Sequence, residues 1–276
     1  MTTLAQALAQ AAALGVDRLD AQLLLLAGLG RSDHDRAWLL AHDTDALPLD
    51  ARAAYERHLA RRLAGEPIAY LLGEKEFHGL GLAVDARVLV PRPDTETLVD
   101  WALACLAQRA APRVLDLGTG SGAIALALSN ARPDAQVTAV DASADALQVA
   151  EGNARRLGLA VRFVQADWLD GAATGYDVIT SNPPYIALGD PHLAALGHEP
   201  RSALVSGPDG LDDIRRIVAA APGHLQDGGW LLLEHGHDQA AEVRALLKAA
   251  NFAEVQSRND LAGIARCSGG IWRAVK

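Results

Sequence analysis

The tetrapeptide Asn182-Pro183-Pro184-Tyr185 carries the groups in this chain that are best suited to holding a small planar substrate. It follows the apolar run 176–180, which predicts a buried strand. Neither proline can continue a strand ladder, so the strand ends there and a stiff, extended edge begins. The Asn182 side-chain oxygen and the Pro183 carbonyl can accept the two hydrogens of a planar –NH2 group, and Tyr185 offers a flat face. A proline-rich turn without a ligand is the alternative, and the tetrapeptide alone leaves it open.

Three further groups of residues follow predicted strands and have the chemistry to bind a nucleoside. The turn Gly118-Thr119-Gly120-Ser121-Gly122 lets the backbone approach a ligand closely and presents its N–H groups. Asp141 ends the second strand, where an acid accepts from the two hydroxyls of a ribose. After the third strand, Asp167 can accept from an adenine amino group and Trp168 can pack against its ring. Ligands of open parallel sheets lie at the carboxyl ends of the strands, so these groups predict one site.

The glycine turn is weak evidence by itself, because residues 118–123 also loosely fit a dinucleotide fingerprint. A nicotinamide enzyme is therefore a competing interpretation. No later strand offers a hydride-transfer site, however, and that interpretation leaves Asn182 to Tyr185 unexplained. Asp116 precedes the glycines, and hydrogen bonding to the turn explains it at least as well as ligand contact.

The elements that must position these groups alternate between strand and helix from residue 113 onward, which predicts a parallel sheet covered on both faces. An antiparallel pair, 252–256 with 271–275, is expected to close the sheet. Residues 1–75 read as a small helical bundle in which Asp50 could cap a helix. We therefore expect a helical domain over 1–75, a connector with a β-hairpin over 76–96 and an α/β domain over 97–276.

Composition restricts the classes of protein to which the chain can belong. Its 276 residues carry a net charge of −9, which disfavours a protein that grips a nucleic-acid backbone. Two cysteines are too few for a disulfide framework, and this fits a reducing compartment. No apolar run has the length of a membrane span, and no signal peptide is visible. We expect a cytoplasmic protein without membrane contact.

Together these motifs resemble a known family. The glycine turn, Asp141 and Asn182 to Tyr185 look like the S-adenosylmethionine-dependent methyltransferases that modify planar amino or amide nitrogens. Five more motifs are similar to the peptide chain release factor glutamine methyltransferases, the HemK or PrmC family: Pro91-Arg92-Pro93-Asp94-Thr95-Glu96, residues 199–204, Gly210-Leu211, Glu234-His235-Gly236 and residues 260–266. The resemblance runs from the helical bundle to the C-terminus.

This resemblance implies a Rossmann-like class I methyltransferase with a mostly parallel seven-stranded sheet and a small N-terminal helical bundle. It implies that S-adenosylmethionine lies across the glycine turn, held also by Asp141, Asp167, Trp168 and Asn182. The substrate would be the Gly-Gly-Gln glutamine of class 1 release factors, whose side chain would enter between Asn182 and Tyr185. The resemblance assigns the chemistry to Asn182, Pro183 and Tyr185, and substrate binding to these residues with Pro184. The helical domain has no catalytic constellation and carries a basic cluster of Arg57, Arg61 and Arg62, so we expect it to recognise the factor; a solvated face is the alternative explanation of the cluster.

Several rival functions are compatible with parts of this pattern. A ribosomal protein L3 glutamine methyltransferase is the nearest look-alike, although that family departs from the 91–96 and 260–263 motifs. A nucleic-acid adenine N6-methyltransferase shares the tetrapeptide, but the net charge of −9 disfavours binding to a nucleic-acid backbone. A cofactor-binding module without activity does not explain the intact run Asn182-Pro183-Pro184-Tyr185, which we call the Asn182 edge. His235, His237 and Asp238 match no complete zinc set, so we expect no metal.

Overall fold

The structure is a computed structural model that describes residues 2–274, and it divides the chain into two units. The first unit ends at Glu74 and consists of short helices: α1 (Leu4–Ala13), α2 (Arg18–Gly28), α3 (Arg36–Ala41), α4 (Leu49–Leu63) and α5 (Ile68–Leu72). Its core is built largely from buried leucines, including Leu24, Leu25 and Leu26 of α2, with Tyr55 from α4. Buried residues recur every three to four positions in α1 (Leu4, Ala7, Ala11) and in α4 (Ala51, Tyr55, Leu59), as expected of amphipathic helices.

The helix starts in this unit depend on side-chain caps at two positions. Thr3 caps α1 in a reciprocal arrangement with Gln6, and the Asp17 carboxylate accepts from Leu19 N at 2.8 Å to cap α2. The prediction that Asp50 caps α4 is wrong, because that helix begins at Leu49 directly after Pro48. Asp50 instead lies in the first turn, where its charge complements the helix dipole.

The second unit begins at Lys75 and opens with a two-stranded hairpin of β1 (Glu74–Phe77) and β2 (Leu80–Ala83). Both turn residues have positive φ, +48° at His78 and +78° at Gly79, as a tight hairpin turn requires. The sequence predicts a hairpin within residues 76–96, but its first strand already begins at Glu74 and pairing ends at Ala83.

A seven-stranded sheet forms the centre of the second unit. Its strands are β3 (Arg113–Leu117), β4 (Gln136–Asp141), β5 (Arg162–Gln165), β6 (Tyr176–Ser181), β7 (Leu225–Glu234), β8 (Ala253–Asn259) and β9 (Ala265–Ile271). They lie in the order β5-β4-β3-β6-β7-β9-β8. Neighbours from β5 to β7 run parallel, whereas β9 is antiparallel to both β7 and β8. The mostly parallel seven-stranded sheet predicted from the sequence is confirmed.

Helices cover both faces of this sheet: α6 (Glu96–Leu106), α7 (Ala123–Ala131), α8 (Ala144–Leu157), α9 (Asp212–Ala220) and α10 (Ala240–Ala249). Alternate side chains of β3 enter opposite cores, Val114 on the side of α6 and α7 and Leu115 on the side of α9 and α10. A two-sided apolar environment of this kind is what a parallel strand with a continuous hydrophobic run requires.

The last strand differs from the prediction. It spans Ala265–Ile271 rather than 271–275, and Val275 lies outside the described residues. Gly269 and Gly270 lie inside the strand because neighbouring groups leave no room for a side chain there. A Cβ on Gly269 would lie 2.5 Å from Leu231 O, and one on Gly270 would lie 2.9 Å from Phe252 Cβ. Over the described part of the chain, no helix has the length and apolar composition to cross a membrane.

Candidate active site

Strand register brings the predicted site residues to one edge of the sheet. Leu117 of β3 pairs with Val140 of β4 on one side and with Ser181 of β6 on the other. The residues that directly follow these three are Gly118, Asp141 and Asn182. They therefore lie side by side at the carboxyl ends of three adjacent parallel strands, at the point where the strand order reverses.

A cavity of about 300 Å³ opens at this edge. Most of the predicted site residues line it: Gly118, Thr119, Gly120, Ser121, Asp141, Asp167, Trp168, Asn182 and Pro184. Gly122, Pro183 and Tyr185 do not line it; Gly122 packs against Leu126 and Ala150, and the Tyr185 hydroxyl lies 3.4 Å from Glu234 Oε1 at the end of β7. The sequence thus predicted most of the residues that meet at the cavity.

The glycines of the turn have distinct roles. Gly118, Gly120 and Gly122 all have positive φ, between +56° and +86°. A Cβ on Gly120 would meet no atom within 4 Å, so this residue leaves the cavity open to a ligand. Gly118 lies against Trp168, where an added Cβ would be 3.2 Å from the ring, whereas Gly122 allows close packing of α7 against α8.

Asp116 holds the glycine turn in place through a hydrogen bond from Thr119. It is 1% exposed, and its two carboxylate oxygens accept from the hydroxyls of Thr119 at 2.7 Å and Thr180 at 3.1 Å. Burial raises the pKa of this carboxyl to about 7, against the lowering effect of the threonine hydrogen bonds. Asp116 is therefore an anchor of the turn, as the sequence allowed.

The raised pKa of Asp116 predicts a pH-dependent effect of its replacement. Its ordinary pKa is 3.8, so as pH rises through about 7 the folded protein must ionise a buried carboxyl that the unfolded chain has already ionised. This group therefore costs stability progressively between about pH 4 and 7. Asparagine cannot ionise, so the thermal midpoint of Asp116→Asn relative to wild type should improve from pH 5 to pH 8. A difference in midpoint that is the same at both pH values contradicts this prediction.

Asp141 is held by main-chain donors. Its Oδ2 accepts from Gly120 N at 2.9 Å, and its Oδ1 accepts from Ser143 N at 2.9 Å. Burial raises the pKa of Asp141, and these two backbone hydrogen bonds act in the opposite direction. Each oxygen retains acceptor capacity, so the carboxylate is fixed in orientation and still able to accept from a ligand.

Asp167 and Trp168 are positioned by the first turns of α9. The Trp168 indole donates to Asp213 Oδ1 at 3.0 Å, and Asp167 accepts from Arg216 at 2.6 Å. Trp168 has a φ of +53°, a conformation that is uncommon for a bulky residue. The Asp213 bond and the contact with Gly118 hold the ring in place at the cavity wall.

At the Asn182 edge, the side-chain amide donates from Nδ2 to Thr95 Oγ1 at 3.3 Å. This contact assigns the amide nitrogen to Thr95 and leaves the side-chain oxygen to accept from another group. The main-chain carbonyl of Tyr185 accepts from Gln239 Nε2 at 3.0 Å, which holds the end of the tetrapeptide. The Tyr185 hydroxyl contacts Glu234 Oε1 at 3.4 Å, and burial raises the pKa of the phenol.

Sequence reasoning missed several groups that line the cavity: Phe77, Arg87, Val88, Leu89, Ala142, Ser143, Asp213 and Arg216. The 91–96 and 199–204 motifs have no site role in the sequence analysis, but both contribute to the lining through Pro91, Arg92, Thr95, Pro200, Ser202 and Ala203. An ion pair between Arg92 and the buried Glu199 joins these two motifs. Pairs that are so distant in sequence leave no local signal.

His235 has a structural role directly after the end of β7. It is fully buried, and its ring nitrogens contact Gly236 O at 2.9 Å and Ser268 Oγ at 2.8 Å. The side chains of His237 and Asp238 are mostly exposed. Among residues 2–274, no group of three or more His, Cys, Asp or Glu side chains is placed to hold a metal ion.

Comparison with known proteins finds two matching family models: the Methyltransferase small domain over residues 96–198 and the PrmC N-terminal domain over residues 2–73. A release factor glutamine methyltransferase of Bordetella pertussis is 56% identical over 260 residues, covering 93% of this chain and 95% of that relative. One of Burkholderia pseudomallei is 51% identical over 265 residues, covering 92% of each.

Among solved structures, the Thermus thermophilus 16S rRNA N2 G1207 methyltransferase, in complex with AdoMet and guanosine, matches with a TM-score of 0.55. The match has 19% sequence identity and covers 72% of this chain and 50% of that one. A likeness at this level of identity concerns the fold alone.

Proposed function

The chain belongs to the family of release factor glutamine methyltransferases, and we propose that it transfers a methyl group from S-adenosylmethionine to the side-chain amide nitrogen of a glutamine. The proposed target is the Gly-Gly-Gln glutamine of class 1 peptide chain release factors, and the modification would support translation termination in the cytoplasm. The observation that carries the proposal is the juxtaposition of the Asn182 edge and the glycine turn in one cavity, imposed by the register of β3 and β6.

The residues around the cavity fit S-adenosylmethionine. Gly120 offers backbone with open space where a side chain would be, Asp141 offers a fixed acceptor for ribose hydroxyls, and the Trp168 ring offers an apolar wall. A volume of about 300 Å³ is in the range of small-molecule sites. When bound, this cofactor supplies a methyl group on a positively charged sulfur.

The chain's own contribution to the reaction is mostly positioning. Thr95 directs the Asn182 amide so that its oxygen can accept one hydrogen of the target amide, and the Pro183 carbonyl can accept the other. Both acceptors lie on a stiff edge, so the target nitrogen is aimed with little freedom to rotate. S-adenosylmethionine held by Gly120, Asp141 and Trp168 would supply the methyl group to the nitrogen aimed by Asn182 and Pro183, and the nitrogen would lose its extra proton to water. A strong base is not required if the proton leaves after transfer.

We assign recognition of the release factor to the N-terminal helical unit. Two of the three arginines that suggested a basic docking face are neutralised within the unit, Arg61 by Glu66 and Arg62 by Asp20. Charge is therefore a weaker basis for docking than the sequence indicated. Exposed leucines such as Leu14 and Leu49 supply apolar contact surface on the same unit.

Mass spectrometry of substrate proteins incubated with the enzyme and S-adenosylmethionine tests the proposed function. We expect one added methyl group on the Gly-Gly-Gln peptide of an intact release factor, and none when that glutamine is replaced by asparagine. A short peptide with the same motif should be methylated more slowly than the whole factor. Methylation of ribosomal protein L3 or of nucleic-acid adenine, with none on release factor, would show that one of the rival functions is correct.

A further inference from the structure

Glu234 is a buried carboxylic acid at the end of β7, directly beside the Asn182 edge. Ser181 of β6 pairs with Leu233 of β7, so the residues that follow them, Asn182 and Glu234, lie next to each other at the edge of the sheet. Glu234 is 1% exposed, and its Oε2 has no hydrogen-bond partner among the described residues. Burying a carboxyl group so incompletely satisfied is costly, which calls for a functional explanation.

Two polar side chains near Asn182 influence this carboxyl group. The Tyr185 hydroxyl donates to Oε1 at 3.4 Å, and the nearby Thr95 side chain lowers the pKa of Glu234. Thr95 in turn accepts from Asn182 Nδ2 at 3.3 Å. A threonine hydroxyl has one hydrogen, so a Thr95 hydroxyl that turns this hydrogen toward the carboxylate has only acceptor capacity facing Asn182. That arrangement agrees with the observed contact, in which Asn182 presents its nitrogen to Thr95 and its oxygen elsewhere.

We propose that Glu234 is a positioning residue for methyl transfer, which holds the Tyr185 phenol directly and the Asn182 amide through Thr95. The proposal rests on the proposed function, since Asn182 and Tyr185 are the residues assigned there to the target glutamine. Glu234 does not contact the substrate itself. It determines which atom of Asn182 faces the target and where the aromatic face of Tyr185 lies.

The charges around Glu234 link this role to pH. Burial raises the pKa of Glu234 to about 7, Arg266 and the Thr95 and Tyr185 hydroxyls lower it, and Asp94 raises it. Cys267 is its antiparallel neighbour on β9, and that thiol has its own pKa raised by burial. Ionised Glu234 accepts from the Tyr185 hydroxyl and can accept from a Thr95 hydroxyl turned toward it, whereas its protonated form has a hydrogen of its own to donate. The ordered arrangement of Asn182 and Tyr185 should therefore strengthen as pH rises through about 7.

Single-turnover methylation of release factor at saturating cofactor, measured from pH 6 to pH 9, tests the proposal. Glu234→Gln keeps the shape but replaces one acceptor by a donor, and we expect a rate loss of about 10- to 100-fold from misorientation. Cofactor affinity should change less than about 2-fold, because the altered contacts lie on the acceptor side. The wild-type rate should rise through neutral pH, and this rise should be absent in Glu234→Gln.

Asp177→Asn is the matched control, since Asp177 is a buried carboxylate at the opposite end of β6 that bonds Arg109 and Arg113 N. It should lower the thermal midpoint and leave the single-turnover rate and its pH profile intact. Tyr185→Phe and Glu234→Gln should be strongly non-additive, because they break the same hydrogen bond. A wild-type rate in Glu234→Gln, an equal rate loss in Asp177→Asn, or additive losses would each overturn the proposal.

The test holds even if Glu234→Gln fails to fold. Removing the Tyr185 hydroxyl deletes a donor to Glu234, so Tyr185→Phe should shift the rising limb of the pH profile to higher pH, and an unmoved limb contradicts the inference. Carbon-13 NMR of the Glu234 carboxyl gives the same information without any substrate. A carboxyl that titrates near 7 and moves upward in Tyr185→Phe shows the coupling of Glu234 to Tyr185 even where release factor is not methylated, so failure of the proposed function is distinguishable from failure of the contacts on which the inference depends.

Discussion

Replacing Asn182 by alanine is expected to lower the rate of methyl transfer at saturating cofactor on the order of 100-fold, because a target misplaced by about 1 Å loses about that much. Asn182 is the one side chain of the proline edge with an amide oxygen, and its nitrogen is already committed to Thr95. Its removal leaves the target amide with the Pro183 carbonyl as its only anchor on this edge, so the amide can rotate. Single-turnover methylation of release factor measures the effect.

Two further variants define what the loss means. Asn182→Asp keeps an acceptor but adds a charge, which stabilises a positively charged sulfur before transfer more than in the transition state, so its turnover should also fall. Asn130→Ala removes an exposed asparagine of α7 at a distance from the edge and should leave the rate unchanged. Cofactor affinity should change little in Asn182→Ala. A wild-type single-turnover rate in Asn182→Ala would exclude this residue from the mechanism.

The sequence was sufficient to predict that these groups converge at one edge of the sheet, because the signals that place them are local and periodic. Apolar runs define parallel strands, and ligand-binding groups that directly follow such strands meet at one edge of the sheet. Gly118, Asp141 and Asn182 each follow a strand residue that the observed register pairs with its neighbour. No information about distant contacts was needed to predict that they converge.

Contacts between residues far apart in the chain could not be predicted in this way. Thr95 and Asn182 are 87 residues apart, and Tyr185 and Glu234 are 49 apart, yet these two pairs determine how the acceptor edge is oriented. Such polar pairs depend on the packing of α6 and β7 beside β6, and no periodicity in the sequence encodes it. The motifs containing Thr95 and Glu234 were noticed only as parts of a family pattern.

The predicted boundary of the last strand is wrong because glycine is required there for packing. The sequence pattern places the last strand at 271–275, and strand propensity gives no reason to extend it back over Gly269 and Gly270, because glycine is disfavoured inside strands. In β9, however, Gly269 lies where a Cβ would also be 3.2 Å from the buried Trp101 ring. The close approach of β9 to β7 and to the Trp101 ring outweighs the low strand propensity of glycine. A propensity scale contains no information about such distant neighbours.

Asp141→Ala is expected to weaken S-adenosylmethionine binding by about 1–3 kcal/mol, the usual range for hydrogen bonds to a charged group. Two effects combine, since the variant loses the proposed acceptor for the ribose hydroxyls and also releases Gly120 N and Ser143 N, which the carboxylate now holds at 2.9 Å. The turn that must cradle the ligand therefore loosens as well. Asp141→Asn separates the effects, because its amide oxygen can still hold one N–H group while its –NH2 group repels the other.

Isothermal titration calorimetry with S-adenosylmethionine checks these variants against Asp145→Ala, which removes an exposed carboxylate from the first turn of α8 nearby. At about 1.4 kcal/mol for each tenfold change, Asp141→Ala should raise the dissociation constant roughly 5- to 150-fold. Asp141→Asn should fall between it and wild type, and Asp145→Ala should bind as wild type does. Equal affinity in Asp141→Ala and wild type would remove Asp141 from the cofactor site. In that case the carboxylate would only brace the turn, and the ribose hydroxyls would need another acceptor along the cavity wall, where Asp167 stands paired with Arg216.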